Sequence, residues 1–274
     1  GATAEDLEAI RHDLGLDQPV IVRYVKYMGG MLHGDMGVSY VSKTDVFDTY
    51  MEKLPATIKL SFASILVSIL LSVPLGIYSA TRQGTVQDNI SMIVAMIGLS
   101  MPNFWLGLLL IIVFSLNLGW FPSGGDQTLS SIVLPAITIG TGLMATLTRT
   151  TRSSMLDVLK QEYLRTARAK GIPEKIVITS HALRNALIPI ITIIGTQLAG
   201  VLGGSVLTET VFAWPGVGRL IVDSLNMRDT PLVTGSIIMT TILLSIILLL
   251  VDLLYAVVDP RIKAQYVAKR GKKK

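Results

Sequence analysis

Charged side chains in this sequence are gathered into a few stretches, and one of them runs from Gln161 to Pro189. It reads QEYLRTARAKGIPEKIVITSHALRNALIP and lies between strongly apolar neighbours. Good helix formers precede Gly171, a residue that tolerates left-handed dihedrals and can end a helix, and Pro173 suits the first turn of the next one. The pattern therefore predicts two helices that meet at a hinge.

The second of these helices should be a short one that begins at Pro173. It would present on roughly one side Ile172, Ile176 and Val177, with Glu174 and Lys175 beside them. The chemistry of such a segment is attachment to a partner protein, because an apolar patch beside charges can dock. A solvated basic loop that obeys the positive-inside rule would carry the same charges, so charge alone leaves both interpretations open.

Catalytic and metal chemistry have little support in the sequence. There is no cysteine, and the histidines at positions 12, 33 and 181 are too scattered to suggest a metal site. The chain contains no Walker A sequence, no H-E-x-x-H pair and no serine with an identifiable base partner. We predict no catalytic residue, no metal and no cofactor in this chain, so energy for any transport must come from elsewhere.

Composition indicates an all-α polytopic membrane protein. The chain of 274 residues is 50% hydrophobic and 16% charged, with a mean hydropathy of +0.58, which exceeds what a soluble domain carries. Its net charge of +5 does not predict nucleic-acid binding, because the basic residues lie in the stretch above and in the tail 259–274, as topology requires. Anionic membrane lipid should hold that cytoplasmic tail.

Five apolar stretches are long enough to cross a hydrocarbon core of about 30 Å. We place the spans at about 55–80, 88–118, 131–155, 186–207 and 231–257. The second has 31 residues, too many for one straight crossing and too few for two, so we expect one span kinked at Pro102. A sixth helix, expected before residue 1, would place both termini inside.

The segment 1–53 should then lie outside the cytoplasm. It has five basic residues against nine acidic ones, which fits the non-cytoplasmic face. We expect a helix at 4–13 and a second at 18–32, the latter lying at the membrane surface.

Polar groups inside the spans are uncharged over long stretches, which argues against a proton relay. One set of serines recurs at helical spacing, either for close packing or for lining a pathway: Ser61, Ser64, Ser68 and Ser72. Small residues in the fourth span should let helix backbones approach closely: Gly195, Gly200, Gly203 and Gly204. A cargo pathway could be lined by Asn103, Thr141, Thr192, Thr196 and Gln197. Equally, these polar groups could satisfy one another between helices.

The stretch from Gln161 to Pro189 resembles the EAA loop of type I ABC importer permeases. Arg165, Thr166 and Ala167 hold the Glu-Ala-Ala positions, Gly171 holds the glycine, and the run from His181 to Arg184 stands where Ile-x-Leu-Pro is expected. These departures are similar to the variant typical of the dipeptide, oligopeptide and nickel permeases. The resemblance extends over nearly the whole chain, through LGLDQP, GDMGVSY, LPATIKLS, GLSMPNFWLGLLL, ETVFAWPGVGRL and VDPRIK.

The resemblance implies a permease subunit in the inner membrane of a prokaryote. Such a subunit pairs with a homologous second permease, with two ATPases that bind ATP and magnesium, and with an extracytoplasmic binding protein. The coupling residues would be Arg165, Thr166, Ala167, Gly171, Ile172, Pro173, Glu174, Ile176, Val177, His181 and Arg184. Peptides are the expected cargo, with nickel or glutathione as alternatives. A secondary carrier and a scaffold subunit without cargo remain as rivals.

Overall fold

The computed structural model describes residue 8 and residues 17–258, with side chains described up to residue 253. Over this part of the chain the predicted all-α architecture is confirmed, and the extended pairing is limited to one isolated bridge between Val38 and Asp45. The first six helices are α1 Val20–Leu32, α2 Val46–Thr81, α3 Val86–Ser100, α4 Asn103–Leu110, α5 Val133–Leu159 and α6 Glu162–Ala169. The remaining five are α7 Glu174–Ile176, α8 Leu183–Gly204, α9 Val206–Val211, α10 Val217–Asn226 and α11 Thr230–Val258. The helix expected at 4–13 and the basic tail lie outside the described residues.

Helix α2 begins nine residues before the span expected at 55–80. The Asp45 carboxylate caps it by accepting a hydrogen bond of 3.1 Å from the Asp48 backbone N–H. Pro55 lies in the helix interior, where it removes one backbone donor without ending the helix. Burial of Val46 and Tyr50 accounts for the earlier start, because these residues give the first turns a core to pack against.

The serine face of α2 serves packing. All four serines are buried, and α2 lies along α5 for much of its length. A Cβ at Gly76 would stand 2.6 Å from the Cβ of Thr151, and one at Gly140 would stand 2.9 Å from the Ser64 carbonyl oxygen. Only hydrogen fits at these two positions, so small residues on both helices allow their close approach.

The second apolar stretch is broken at Met101 and Pro102, as expected from the proline. Helices α3 and α4 meet there at 95°, and α4 continues as a π-helical segment, Ile111–Asn117. Such a bend is compatible with one broken span or with a re-entrant pair. The described residues therefore hold four long apolar helices, or five spans if the bent pair counts as one.

The helix expected to begin at Pro173 does begin there, but it is not a short separate element, which corrects both the expected docking helix and the bounds of the span expected at 186–207. Pro173 caps α7, which passes through a π-helical segment, Val177–Ala182, directly into α8. The resulting rod, Glu174–Gly204, has 31 residues. The positively charged loop therefore shares a continuous helix with a membrane span. No proline or glycine lies between Pro173 and Pro189, and Pro189 is inside the helix.

Buried apolar residues form clusters at the two ends of the helix bundle. At the loop end, Leu164, Ala167 and Val177 pack with the C-terminal part of α2. At the far end, Val217 and Leu232 pack with the N-terminal part of α2. These two ends are called the loop end and the far end below.

Candidate docking surface and polar cleft

The hinge predicted at Gly171 is a helix end of the Schellman type. Gly171 has φ +74°, its N–H bonds to the Arg168 carbonyl at 2.9 Å, and the Ile172 N–H bonds to the Ala167 carbonyl at 3.3 Å. This pair of bonds satisfies the last carbonyls of α6 and requires a left-handed residue between them. Glycine meets that requirement without the steric cost that a Cβ would bring.

A salt bridge braces the turn between α6 and α7. Arg168 donates from Nε to one Glu174 oxygen at 3.0 Å and from Nη2 to the other at 2.9 Å. Both side chains are substantially exposed, at 38% and 55%. A bidentate guanidinium and carboxylate pair fixes orientation as well as distance. Arg168 was not among the residues expected to act here, although its place three residues before Gly171 could have suggested it.

The turn has a buried underside and an exposed upper side. Val177 and Ala167 lie in the loop-end core and Ile172 packs against it, whereas Ile176 is 45% exposed. The expected apolar face of Ile172, Ile176 and Val177 is therefore wrong, because the continuous rod turns Val177 inward. The expected residues that face solvent are Arg165, Thr166, Gly171, Pro173, Glu174, Ile176 and Arg184.

Tyr163 ties α6 to the beginning of α8. Its hydroxyl accepts a hydrogen bond of 2.8 Å from Asn185 Nδ2, and the same amide donates to the His181 carbonyl oxygen at 2.9 Å. His181 lies within the rod and is half-buried, and it takes part in this contact through its backbone carbonyl. Neither Tyr163 nor Asn185 was expected to take part, and their spacing of 22 residues gave no periodic signal.

A second bidentate ion pair lies deeper at the loop end. Arg152 of α5 donates to the two Asp88 oxygens at 2.7 and 2.6 Å. The Ser79 hydroxyl and the Gly84 N–H also donate to Asp88, so one carboxylate joins α2, α3 and α5. Thr85 caps α3 three residues before Asp88. Asp88 lies directly before the uncharged stretch 89–125, and Arg152 lies four residues after the uncharged stretch 127–148. These positions are the sequence signal that could have suggested the pair.

A cleft of about 440 Å³ lies where α3 and α4 face α5, α8 and α9. It contains Asn103 and Gln197 of the expected pathway residues. The rest of its lining is apolar, glycine or hydroxyl: Leu99, Ile139, Gly142, Leu143, Gly200, Val201, Gly204, Ser205 and Thr208. Among the residues that the structure describes, no ionisable side chain lines this cleft.

The three threonines of the expected pathway lie elsewhere. Thr141 donates to the Ile137 carbonyl, Thr192 to the Ile188 carbonyl and Thr196 to the Ile193 carbonyl, each within its own helix. The pathway set is therefore divided, and of its five residues only the two amides line the cleft. A threonine hydroxyl can bond the preceding helical turn, whereas a longer amide reaches across a helix gap.

The glycines of α8 divide in the same way. A Cβ at Gly195 would stand 2.7 Å from Val251, and one at Gly203 would stand 2.7 Å from Leu244, so both are contacts with α11. The close approach expected at Gly200 and Gly204 is not made within the described chain, where no atom lies within 4 Å of a Cβ there. These two glycines instead widen the cleft.

At the far end, Glu209 is fully buried and accepts hydrogen bonds from neutral donors. Oε1 accepts from Thr57 at 2.9 Å and from Ser205 at 2.8 Å, and Oε2 accepts from the Arg219 backbone N–H at 3.1 Å. Ser205 also lines the cleft. Glu209 thereby joins α2, α9, the first turn of α10 and one wall of the cleft.

Asp229 fixes the segment that precedes α2. Burial by itself raises the pKa of this carboxyl, but the hydrogen bonds it accepts outweigh burial and lower its pKa below the ordinary value. They come from the Ser39 hydroxyl and from the backbone N–H groups of Tyr40, Val41 and Leu232. Within the part of the chain that the structure describes, no group of histidines and carboxylates is arranged to hold a metal.

Comparison with known proteins places this arrangement among membrane transport components. Residues 72–264 match the model of the binding-protein-dependent transport system inner membrane component, and residues 1–61 match its N-terminal domain. The oligopeptide transport system permease protein AppB of Bacillus subtilis is 45% identical over 94% of this chain and 85% of its own length. The glutathione transport system permease protein GsiC of Escherichia coli K12 is 41% identical over 96% of this chain and 86% of its own length.

Solved structures support the fold alone. An inward-facing form of the MetNI methionine ABC transporter matches with a TM-score of 0.63 at 19% identity, over 77% of this chain and 96% of the other. An amino acid ABC transporter matches with a TM-score of 0.58 at 12% identity, over 76% and 93%.

Proposed function

Because the chain belongs to the family of inner membrane components of binding-protein-dependent transport systems, we propose that it moves small peptides across the membrane by coupling to separate ATPase subunits. It is a multi-pass protein of a prokaryotic inner membrane and a permease subunit of an ABC importer. A secondary carrier and a scaffold without cargo are both inconsistent with that family.

The exposed turn between α6 and α7 carries the proposal for coupling. Its upper side offers Arg165, Thr166 and Ile176 to solvent, while its underside is anchored in the loop-end core. The Arg168 and Glu174 pair holds the turn in one geometry. Because α7 and α8 form one rod, a displacement at the turn would reach the membrane span and the cleft directly. The turn is therefore suited to transmit a movement of an ATPase to the pathway.

The proposed partners are those that the family implies. The turn would seat in a cytoplasmic ATPase subunit, one of two, whose ATP and magnesium supply the energy. A homologous second permease would face this chain across the pathway, and an extracytoplasmic binding protein would deliver cargo at the far end.

The cargo is proposed from two relatives, an oligopeptide permease and a glutathione permease. Both names refer to compounds with peptide bonds. The cleft between α4 and α8 suits such cargo because it combines apolar walls with amide and hydroxyl groups.

Replacing Gly171 by valine tests the coupling role. A β-branched residue at φ +74° should cost on the order of 1 to 3 kcal/mol of local strain and misplace the turn. We expect normal expression and membrane insertion, but no cargo uptake and weaker retention of the ATPases on purification. Uptake assays in cells and co-purification of the ATPases measure the two effects.

Gly34→Val is the matched control for this variant. Gly34 also has a positive φ, +85°, with open space around its Cα, and it ends α1 at the far end with the same pair of bonds, from its own N–H to the Met31 carbonyl and from the Asp35 N–H to the Gly30 carbonyl. The strain is equal, but the turn between α6 and α7 is untouched, so the ATPases should remain bound. Equal loss of ATPases from both variants would contradict the proposal, and so would wild-type uptake by Gly171→Val.

Cysteine labelling tests the topology. The chain has no cysteine, and both Gln127, near the far end, and Lys175, at the turn, are exposed. An impermeant maleimide should label Gln127→Cys in intact cells, and Lys175→Cys only after the membrane is opened. The reverse result would mean that α3 and α4 do not form a single crossing.

A further inference from the structure

The cleft between α4 and α8 contains two amide side chains whose hydrogen-bonding capacity is incompletely used. It lies beside glycines that leave space free, and the described residues that line it bear no charge. Its volume of about 440 Å³ is within the range of small-molecule sites. The chemistry of the two amides therefore decides what the cleft can hold.

Gln197 has one satisfied group and one unsatisfied group. Its Nε2 donates to the Leu143 carbonyl oxygen at 3.0 Å, which fixes the orientation of the amide. Its Oε1 is buried and has no donor among the described residues. A buried carbonyl oxygen without a donor costs free energy, so a hydrogen bond from a donor brought into the cleft would remove that cost.

Asn103 has the complementary capacity. It begins α4 after the break at Pro102, is exposed, and makes no side-chain hydrogen bond with the described residues. Gly142 leaves the space that its amide occupies, because a Cβ there would stand 2.7 Å from Asn103 Oδ1. The Asn103 amide is therefore part of the cleft lining, and its Nδ2 is a donor that no described residue engages.

From these two amides we propose that the cleft binds an uncharged peptide group of the cargo in transit. The cargo N–H would donate to Gln197 Oε1, and the cargo C=O would accept from Asn103 Nδ2. A peptide bond carries this donor and acceptor pair, whereas a hydrated metal ion or a carboxylate does not. The inference rests on the proposed function and adds a contact to the peptide backbone, which suits cargo with variable side chains.

The test uses the complete importer with its ATPases and binding protein, reconstituted in liposomes. The probes are trialanine and trialanine methylated on both peptide nitrogens, which keeps the carbonyls and removes the N–H donors. At limiting peptide, we expect Gln197→Met to lower the ratio of trialanine uptake to methylated-peptide uptake by roughly threefold to tenfold. Gln197→Glu keeps an acceptor oxygen and should keep the wild-type ratio, although both variants lose the bond to Leu143.

Asn103→Leu should reduce uptake of both probes by the same factor, because both keep their carbonyls. Thr241→Val is the control, since the Thr241 hydroxyl bonds its own helix in α11, away from the cleft. The binding protein is constant throughout, so a change in ratio belongs to the permease. An unchanged ratio in Gln197→Met, or an equal change in Gln197→Glu, would overturn the inference. Absence of ATP-dependent trialanine uptake by the wild-type complex would instead refute the proposed cargo.

Discussion

Two arginine and carboxylate pairs at the loop end have nearly the same geometry and opposite surroundings. Asp88 and Arg152 are 4% and 27% exposed, whereas Glu174 and Arg168 are 55% and 38% exposed. The first pair joins three helices through four donors to one carboxylate, and the second spans a single turn. Bidentate geometry is common to both pairs. We therefore expect any difference in their contribution to stability to come from burial.

The comparison separates holding a fold together from presenting a surface. Burial keeps water away from Asp88, so water does not replace a hydrogen bond that this carboxylate loses. Water can replace either partner of the Arg168 and Glu174 pair, which therefore adds little stability but selects one orientation of the turn. An exposed pair is suited to a docking surface because a partner can compete for its charges.

The largest effect is expected for Asp88→Ala. It leaves the Arg152 guanidinium partly buried without its carboxylate, and it leaves the Ser79 hydroxyl and the Gly84 N–H without an acceptor. Breaking a buried pair from one side typically costs about 3 to 5 kcal/mol. The yield of monodisperse protein in detergent and its Tm should both fall clearly, with Glu174→Ala as the matched exposed control. Equal Tm values for the two variants would show that burial does not separate the pairs.

An intermediate effect is expected for Glu209→Ala. This buried carboxylate has neutral donors, so its removal leaves unsatisfied hydrogen-bonding groups but no unpaired charge. The Thr57 and Ser205 hydroxyls can rotate to other acceptors, so the cost should approach that of one buried group left without a partner, about 1 to 3 kcal/mol. We expect a drop in Tm smaller than that of Asp88→Ala and faster protease cleavage near α10. A drop larger than that of Asp88→Ala would mean that the far end, and not the buried ion pair, contributes more to stability.

The smallest effect on stability is expected for Arg168→Ala and Glu174→Ala. Exposed pairs contribute about 0 to 1 kcal/mol, so Tm should stay close to wild type. Co-purification of the ATPases should nevertheless weaken, because the turn loses its brace. The double variant with both residues exchanged, Arg168→Glu with Glu174→Arg, should recover more attachment than either alanine variant if the brace is the important feature. No recovery, with a wild-type Tm, would assign the effect to direct contact by one of the charges.

Several local features could be read from the sequence because they depend on few residues. The turn at Gly171 follows from the tolerance of glycine for positive φ, and the break in the second apolar stretch follows from Pro102. Hydropathy alone identified the apolar stretches, because lipid requires long uncharged helices. The resemblance of the chain to importer permeases was confirmed by the family match.

Tertiary structure decided which of the candidate residues meet. Helical spacing placed Ile172, Ile176 and Val177 together, but the continuous rod from α7 to α8 buries Val177 in the core.

The five polar residues of the expected pathway were equivalent in sequence, yet only Asn103 and Gln197 line the cleft. Both line it because α3 and α4 bend by 95°, which brings the start of α4 to the cleft, and because glycines at 142, 200 and 204 leave room there.

The sequence by itself determined the class of protein, the apolar stretches and the conformation at Gly171, since each depends on composition or on the backbone of a few adjacent residues. The bonds between Arg152 and Asp88, 64 residues apart, and between Thr57 and Glu209, 152 residues apart, were decided only by the packing of the helices. Helix period fixes which face a residue occupies, but the rotation and crossing of neighbouring helices fix what that face contacts.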